Sequence, residues 1–240
     1  MTKAMILAAG RGTRLKELTQ NTPKPLVPVA GVAPLKRTLS LLAEQGFTQG
    51  VVNAWYLAPQ IKAAVESMPN LAMSVVEENE LLDTGGGVKN ALPYLGSAPF
   101  VVVNGDLIWS EETHPILAQL PDLFDPQKMD ALLLLMPRAQ ALGYHKNGDF
   151  TMKEDGQLAL KTSAESDAPY VYCGIQVLSP RVFDAIDKSV FSLIDVYRLA
   201  QKQGRLYGHV YQGEWVDMGT PDGMQHGADL MRRLCAANVA

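Results

Sequence analysis

The sequence predicts an α/β fold in which a mostly parallel sheet is covered by helices on both faces. In the first half of the chain, short apolar runs alternate with amphipathic segments, which is typical of strand-helix-strand units. In the second half, a turn signal at Glu154-Asp155-Gly156 between two short apolar runs predicts a hairpin and a smaller mixed β part. No Ser/Gly-rich linker and no repeat interrupts the sequence, so we expect one domain over residues 1–240.

The first predicted strand, residues 4–8, opens directly into a glycine-rich turn. Gly10 and Gly12 let backbone N–H groups converge, because no Cβ stands in the way. Arg11 and Arg14 add guanidinium groups, whose forked donors suit phosphate oxygens. Such a turn is suited to hold an anion.

Two common phosphate motifs do not fit this turn. The third glycine of a dinucleotide fingerprint is missing, because Leu15 stands there, and no Walker lysine follows Gly12. A phosphate loop of another kind and a plain tight connection therefore both stay open. Further on, Pro23 and Pro25 stiffen the backbone around Lys24, and a cation held in this way costs less ordering entropy when a ligand binds.

The later strands are predicted from short apolar or β-branched runs between turn signals. The run over residues 129–136 is apolar at every position except Asp130, so we assign it to a central strand of the sheet. The predicted strands after the first cover residues 50–53, 71–77, 100–103, 129–136, 149–152, 157–160, 170–178 and 205–211.

The helices are predicted from apolar spacing and from start and stop signals. Pro34 is a favoured first helical residue and Gly46 a stop, while Leu193, Val196 and Tyr197 fall on one side of a later helix. The predicted helices cover residues 34–46, 59–67, 88–92, 115–124, 193–203 and 221–235.

Polar or small residues follow several of the predicted strands directly. Gly10, Asn53, Thr84 and Asp106 each come just after a strand or in the loop that leaves it. Because the carboxyl ends of parallel strands meet at one edge of a sheet, where ligands bind, we expect these residues to gather there.

Asp106 and Asp217 are the candidate metal ligands. Each follows an apolar run beside small residues, where a carboxylate can face a cleft. Two hard oxygen donors that leave positions for water and phosphate suit Mg²⁺. A helix N-cap or an Asx-turn is the alternative interpretation for either residue taken alone.

The triple glycine Gly85–Gly87 has two interpretations. It can be a flexible turn before a helix that begins at Val88. It can also let the backbone approach a flat base or sugar closely, with the hydroxyl of Thr84 beside it.

Composition and charge limit the classes of partner that we expect the protein to bind. Apolar residues make up 47% of the 240 and charged residues 19%, which is typical of a globular chain with a sizeable core. A net charge of −4 gives no general polyanion-binding face, so we expect no nucleic-acid polymer as partner. Positive charge is local, with Lys3, Arg11, Arg14, Lys16 and Lys24 close together in the sequence. This asymmetry favours a small phosphorylated ligand.

The expected location is cytoplasmic. Cys173 and Cys235 form neither a CxxC pair nor a metal-type spacing, so we expect two reduced thiols. The first apolar run is too short for a signal peptide, and no run approaches the roughly 20 residues that span a bilayer. We therefore expect no membrane partner.

Taken together, six segments resemble the sugar nucleotidyltransferase family, whose members join a nucleoside triphosphate to a sugar 1-phosphate. The segments are LAAGRGTRL, TPKPLVPV, DTGGG, VNGD, CGIQVLSP and WVDMGTP. The short chain and the TGGG and WVDMGT segments look most like the bacterial N-acetylmuramate-1-phosphate uridylyltransferases of cell-wall recycling. Mannose-1-phosphate guanylyltransferase-like members are close behind.

The resemblance implies a Rossmann-like sheet of the nucleotide-diphospho-sugar transferase type. It also implies a nucleotide-binding half over residues 1–136, a sugar-binding half over residues 137–240, and Mg²⁺ as cofactor. A nucleoside triphosphate and a sugar 1-phosphate would be the partners, and the enzyme would be a monomer or a small homo-oligomer.

The site residues are carried over from the resemblance position by position. Arg14, Lys24 and Asp106 would be catalytic, and Asp106 and Asp217 would bind Mg²⁺. Asn53, Asp83, Gly148 and Gly174 would lie by the sugar. The nucleotide would contact Leu7, Ala8, Ala9, Gly10, Gly12, Thr13, Arg14, Lys24, Thr84, Gly85 and Gly86.

Two positions depart from the family pattern. Glu17 stands where most members have a proline, which alters the rigidity of the loop. The Glu-Lys-Pro motif that grips the sugar phosphate in many members has no match between Leu160 and Tyr170. The identity of the sugar and part of the phosphate grip are therefore left open.

Overall fold

The computed structural model describes residues 2–68, 71–111, 115–163 and 165–237. The strands are β1 (Ala4–Leu7), β2 (Gln49–Ala54), β3 (Ala72–Glu77), β4 (Phe100–Asn104), β5 (Ile108–Trp109), β6 (Ala131–Pro137), β7 (Phe150–Met152), β8 (Leu158–Leu160), β9 (Tyr170–Leu178), β10 (Leu206–Val210) and β11 (Trp215–Val216). The α-helices are α1 (Pro34–Glu44), α2 (Ala58–Glu66), α3 (Asp83–Leu95), α4 (Ile116–Asp122), α5 (Leu193–Lys202) and α6 (Pro221–Ala237). Short 3-10 turns cover Thr13–Thr19, Lys24–Leu26, Arg138–Gln140 and Pro180–Phe183.

Most neighbouring strands of the main sheet are parallel, as the sequence predicts. Within the described residues the sheet has nine strands, and seven of them follow the order β10-β6-β9-β4-β1-β2-β3. All pairs along this path are parallel except those of β9, which runs antiparallel to both β4 and β6. The hairpin of β7 and β8 pairs with the start of β9. A strand of the second half of the chain is thus inserted into the sheet that the first half begins.

The core lies on both faces of this sheet. On one face, Leu35 of α1, Ile61 of α2 and Leu117 of α4 are fully buried. On the other face, Val88 of α3 and Val196 of α5 are fully buried. Helix α6 packs on a separate two-stranded ribbon of β5 and β11. Among the described residues, no helix combines the length and the apolar character that crossing a bilayer requires.

The prediction of a central strand for the run 129–136 is confirmed, because β6 lies inside the sheet between β10 and β9, second from one edge. Its side chains are buried on both faces, because Leu132 and Leu134 join the core of one face while Leu133 and Leu135 join the core of the other. The apolar run therefore reflects a strand that is covered on both faces and paired at both edges.

The predicted turn at the triple glycine is wrong, because Gly85–Gly87 lie inside α3. The N–H groups of Gly85 and Gly86 both donate to the carbonyl oxygen of Phe191, at 2.9 and 3.0 Å. This carbonyl satisfies two of the N–H groups that a helix start leaves without a partner. The helix therefore begins at Asp83.

We predict that Gly86→Ala destabilises the protein. A Cβ at Gly86 would collide with the carbonyl oxygen of Ser189, which is backbone and cannot swing aside. Alanine favours a helix interior by about 1 kcal/mol over glycine, but overpacking of this kind costs about 1–3 kcal/mol. We expect a net loss of about 1 kcal/mol in the free energy of unfolding, measured by urea titration.

Gly10→Ala is the matched control for this substitution. No heavy atom lies within 4 Å of the place where its Cβ would stand. Its free energy of unfolding should stay within about 0.5 kcal/mol of the native value. A Gly86→Ala variant that is as stable as the control would show that residues 189–191 do not constrain the start of α3.

Candidate active site

A cleft of about 350 Å³, here named the first compartment, lies beyond the carboxyl ends of β1, β2 and β4. Most residues that the resemblance assigns to the nucleotide line it: Leu7, Ala8, Ala9, Gly10, Gly12, Thr13, Arg14, Lys24 and Thr84. The register Leu7↔Asn104 and Leu7↔Asn53 explains the gathering, because the three strands end side by side. The expectation that polar strand ends share one edge is met for Gly10, Asn53, Thr84 and Asp106.

A smaller cleft of about 210 Å³, here named the second compartment, adjoins the first. Residues from both halves of the chain line it, including Gly174 of β9 and Asp217 after β11. Gly174 reaches this edge because β9 runs antiparallel to β4 and so passes beside Asn104. The two compartments share one wall, which consists of Arg14, Lys24, Asn104 and Asp106.

The shared wall is centred on an ion pair between the ammonium of Lys24 and the carboxylate of Asp106. The side chain of Lys24 is 13% exposed and that of Asp106 is 27% exposed, so salt screens the pair less than a surface pair. The pair places one cation and one carboxylate at the boundary, where a bond between ligands of the two compartments would form.

The loop over this pair depends on Gly12. Its backbone has φ +64°, a left-handed conformation that glycine adopts without strain. A Cβ there would stand 2.8 Å from Cβ of Lys24, so a side chain would also crowd the lysine. The carbonyl oxygen of Gly12 accepts hydrogen bonds from the N–H of Leu15 and the hydroxyl of Thr19, both at 3.0 Å. The glycine thus lets a closed loop lie directly on Lys24.

Of the two arginines in the loop, Arg14 lines the compartments and Arg11 does not. The guanidinium carbon of Arg11 lies 5.6 Å from the ring centroids of both Trp55 and Tyr56. Exposed cation–π contacts of this kind contribute about 0.5–1 kcal/mol each. The expectation that both guanidinium groups face the anion site is therefore corrected to Arg14 alone.

Asn53, which the resemblance places by the sugar, lies in the first compartment and holds backbone in place. Its Oδ1 accepts a hydrogen bond from the N–H of Ala8 at 2.9 Å, and its Nδ2 donates to Oε1 of Glu78 at 2.7 Å. The other carboxylate oxygen of Glu78 accepts from the N–H of Leu82 at 3.1 Å. Burial raises the pKa of Glu78. Asn53 thereby joins the loop after β1 to the segment before α3.

The residues at the start of α3 also differ from the expectation. Asp83 lines the first compartment rather than the second, and its Oδ1 accepts a hydrogen bond from the N–H of Thr84 at 2.6 Å. The hydroxyl oxygen of Thr84 accepts from the N–H of Leu193 at 3.0 Å. Gly85 and Gly86 are buried, line neither compartment, and have already used their N–H groups. The contact of these two glycines with the base stays a prediction.

Asp217 and Arg14 meet at the wall of the second compartment. Oδ1 of Asp217 accepts a hydrogen bond from the N–H of Gly219 at 2.9 Å. A Cβ at Gly219 would stand 2.6 Å from Nη1 of Arg14 and 3.0 Å from that carboxylate oxygen. Because Gly219 has no side chain, the guanidinium of Arg14 can lie against the segment that carries Asp217.

Asp106 and Asp217 fit a magnesium ion by the chemistry of their donor atoms. Both carboxylates line the second compartment, and Asp106 also belongs to the shared wall. In the part of the chain that the structure describes, no three His, Cys, Asp or Glu side chains converge as a metal site. Two carboxylates with open positions suit Mg²⁺, which commonly completes its sphere with phosphate oxygens and water.

The sequence did not point to several residues of the second compartment, among them Tyr144, Lys146, Asp149, Tyr172 and Trp215. The carboxylate of Asp149 accepts hydrogen bonds from the hydroxyl of Tyr144 and the N–H of Tyr172, both at 3.1 Å. Burial, followed by the charge of Asp149, raises the pKa of Tyr144. These residues stand on irregular loops or inside strands, so no spacing pattern identifies them.

Gly148, which the resemblance places by the sugar, is buried and does not line the second compartment. Its backbone has φ +75°, and a Cβ there would collide with the carbonyl oxygen of Ala168. Gly148 therefore fixes the path of the loop whose neighbours, Lys146 and Asp149, reach the compartment.

The sequence matches the nucleotidyl transferase family over residues 3–232. An N-acetylmuramate alpha-1-phosphate uridylyltransferase of Caulobacter vibrioides is 35% identical over 223 residues, which make up 91% of this chain and 92% of that one. A mannose-1-phosphate guanylyltransferase of Mycobacterium tuberculosis is 29% identical over 96% of this chain and 65% of its own length. The crystal structure of HddC from Yersinia pseudotuberculosis shares the fold, with a TM-score of 0.78, 24% identity, and coverage of 96% and 100% of the two chains.

We predict that Asn53→Ala weakens binding of the nucleoside triphosphate, which would occupy the first compartment. The substitution leaves the buried N–H of Ala8 without its acceptor and removes one donor from Glu78. An unsatisfied buried donor costs about 1–3 kcal/mol. We expect KM for the nucleoside triphosphate to rise about 10-fold, while KM for the sugar phosphate changes less than about 2-fold. Both constants follow from pyrophosphate release with one substrate varied at a time.

Gln49→Ala is the control for Asn53→Ala, because Gln49 is exposed at the other end of β2. It should leave both constants at their native values. If Asn53→Ala instead raised only KM for the sugar phosphate, Asn53 would contact the sugar, as the resemblance implies.

Proposed function

We propose that this chain, which belongs to the nucleotidyl transferase family, transfers a uridylyl group from UTP to N-acetylmuramate 1-phosphate and releases pyrophosphate. The broader class is sugar-1-phosphate nucleotidyltransferase. The observation that carries the proposal is the wall of Arg14, Lys24, Asn104 and Asp106 between the two compartments. Support for the uridylyl group and for the sugar comes from the Caulobacter vibrioides relative.

The proposed reaction is one in-line displacement. An oxygen of the sugar 1-phosphate attacks the α-phosphorus of the triphosphate, and the bond from that phosphorus to the bridging oxygen breaks. The electron pair leaves with pyrophosphate. The attacking phosphate is already ionised at neutral pH, so the reaction requires no protein nucleophile. Catalysis then consists of positioning two anions that repel each other and of neutralising charge as it develops.

Arg14 and Lys24 supply the positive charge in this proposal. Both line the two compartments, so each can contact phosphates on either side of the wall. The ammonium of Lys24 is paired with Asp106 in the structure, and it would exchange this carboxylate for phosphate oxygens when the substrates bind. The segments that hold Gly10, Gly12 and Thr13 would surround the triphosphate in the first compartment.

Asp106 and Asp217 would hold Mg²⁺ beside this wall. The ion would neutralise charge on the phosphates and orient them, as such ions commonly do in phosphoryl transfer. The carboxylate of Asp106 is paired with Lys24 in the structure, and it would bind the ion once Lys24 turns to the phosphates.

A cytoplasmic location is part of the proposal. Cys173 and Cys235 are both free thiols, which is typical of proteins kept in a reducing compartment. Cys173 is buried and burial raises the pKa of its thiol, so we assign it no chemistry.

A substrate panel tests the proposed function. Pyrophosphate release is measured with UTP, GTP, dTTP and CTP, each against N-acetylmuramate 1-phosphate, mannose 1-phosphate and N-acetylglucosamine 1-phosphate. We expect the highest kcat/KM for UTP with N-acetylmuramate 1-phosphate. A preference for GTP with mannose 1-phosphate would move the chain to the guanylyltransferases, to which one relative belongs. Binding of the substrates without turnover would make it a sensor.

We predict that Lys24→Ala and Asp106→Ala each lower kcat by about 100-fold or more, because the first removes a cation at the reacting phosphates and the second removes a ligand of the ion that would neutralise them. Circular dichroism should show that both variants keep the fold. The exposed residues Lys202 and Asp187 supply the matched controls, and Lys202→Ala and Asp187→Ala should keep native rates. Native turnover in Lys24→Ala or Asp106→Ala would show that the substituted residue is not catalytic.

A further inference from the structure

We propose that Lys146 binds a carboxylate on the sugar and thereby selects acidic sugar 1-phosphates over neutral ones. The inference rests on the proposed function, because it names the class of sugar that enters the second compartment. Its ligand is an anionic group separate from the phosphate that reacts.

Lys146 is an exposed residue that lines the second compartment but not the first. Arg14 and Lys24 belong to the wall shared with the first compartment, whereas Lys146 lines the second compartment alone. The reacting phosphate must lie at the shared wall, because the triphosphate arrives from the other side of it. The ammonium of Lys146 therefore meets the body of the sugar, beside Tyr144 and Asp149.

The carboxylates that line the second compartment together with Lys146 have other partners. Asp106 pairs with Lys24, Asp149 accepts hydrogen bonds from Tyr144 and Tyr172, and Asp217 accepts one from the N–H of Gly219. Within the described residues, the ammonium of Lys146 makes no ion pair and no side-chain hydrogen bond. Lys146 is thus a cation without a partner among the described residues, in a compartment where each carboxylate already has an ion pair or a hydrogen bond.

The backbone that follows Lys146 is held in place, and the side chain of the preceding residue has a partner. The carbonyl oxygen of Asn147 accepts a hydrogen bond from the N–H of Ala168 at 2.8 Å, and the N–H of Asp149 donates to Tyr170 at 2.7 Å. On the other side, Nε2 of His145 lies 3.1 Å from Oδ2 of Asp222 on α6. A fixed backbone limits the entropy lost when the lysine side chain orders on a ligand.

This arrangement distinguishes sugars that are otherwise alike. N-acetylmuramate 1-phosphate carries a lactyl carboxylate, and N-acetylglucosamine 1-phosphate has a hydroxyl at the same position. An ammonium–carboxylate hydrogen bond is roughly twice as strong as a neutral one. Lys146 would also provide a cation in a site that lacks the Glu-Lys-Pro motif, although it acts on a different group of the substrate.

The test compares kcat/KM for the acidic and the neutral sugar 1-phosphate in Lys146→Met, at saturating UTP. Methionine keeps much of the length of the side chain and removes the charge. A lost hydrogen bond to a charged group corresponds to about a 10- to 100-fold effect. We expect kcat/KM for N-acetylmuramate 1-phosphate to fall by about this factor, and that for N-acetylglucosamine 1-phosphate to change less than about 3-fold. If the neutral sugar turns over too slowly, its inhibition constant supplies the comparison.

Two further variants sharpen the test. Lys146→Arg should restore part of the preference for the acidic sugar, because it restores the charge. Lys161→Met is the control, since Lys161 lines neither compartment, and it should keep the native preference. An equal loss on both sugars in Lys146→Met would place the lysine on the reacting phosphate and overturn the inference. An unchanged preference would overturn it as well.

Glucuronate 1-phosphate separates this inference from the proposed substrate. If the native enzyme prefers glucuronate 1-phosphate and Lys146→Met abolishes the preference, the role of Lys146 stands and the proposed sugar falls. If the native enzyme uses N-acetylmuramate 1-phosphate and Lys146→Met keeps its preference, the proposed function stands and the inference falls. A native preference for neutral sugars overturns both.

Discussion

The ion pair of Lys24 and Asp106 is the interaction on which the rest of the site depends. It joins the loop after β1 to the loop after β4, and both compartments open onto it. Removing a pair of charges from water costs free energy, and breaking such a pair by losing one partner leaves the other uncompensated. The partial exposure of both side chains limits this cost and keeps the lysine within reach of incoming phosphates. Two prolines and the bare backbone of Gly12 hold the lysine at this point.

The topology of the sheet explains why two compartments meet there. Strands β1, β2 and β4 are parallel neighbours, so their carboxyl ends build the first compartment. Strand β9 enters the same sheet antiparallel to β4, which brings its first half to that edge and places Gly174 beside Asn104. The second compartment is thus built from the later part of the chain against a wall that the earlier part supplies.

Much of the fold, and the gathering of several polar residues at one cleft, follow from local sequence patterns. Alternating apolar runs predict the parallel strands, and the rule on strand ends brings Gly10, Thr84 and Asp106 to one cleft. The failures have a common physical cause, which is a partner distant in the chain. Gly85 and Gly86 became part of a helix because the carbonyl oxygen of Phe191 accepts from both. Asn53 faces Ala8 and Glu78 rather than a ligand of the second compartment, and Tyr144 and Asp149 meet only through the folded loop.

In the proposed reaction, the two substrates react directly with each other across the Lys24–Asp106 wall. The most direct measurement is the stereochemical course at the α-phosphorus, followed with a UTP analogue that carries one sulfur of defined configuration on that phosphorus. A single in-line displacement inverts this centre, so we expect a nucleotide sugar of inverted configuration. Retention would contradict the direct reaction, because two successive displacements require a nucleotidyl group bound to the protein between them.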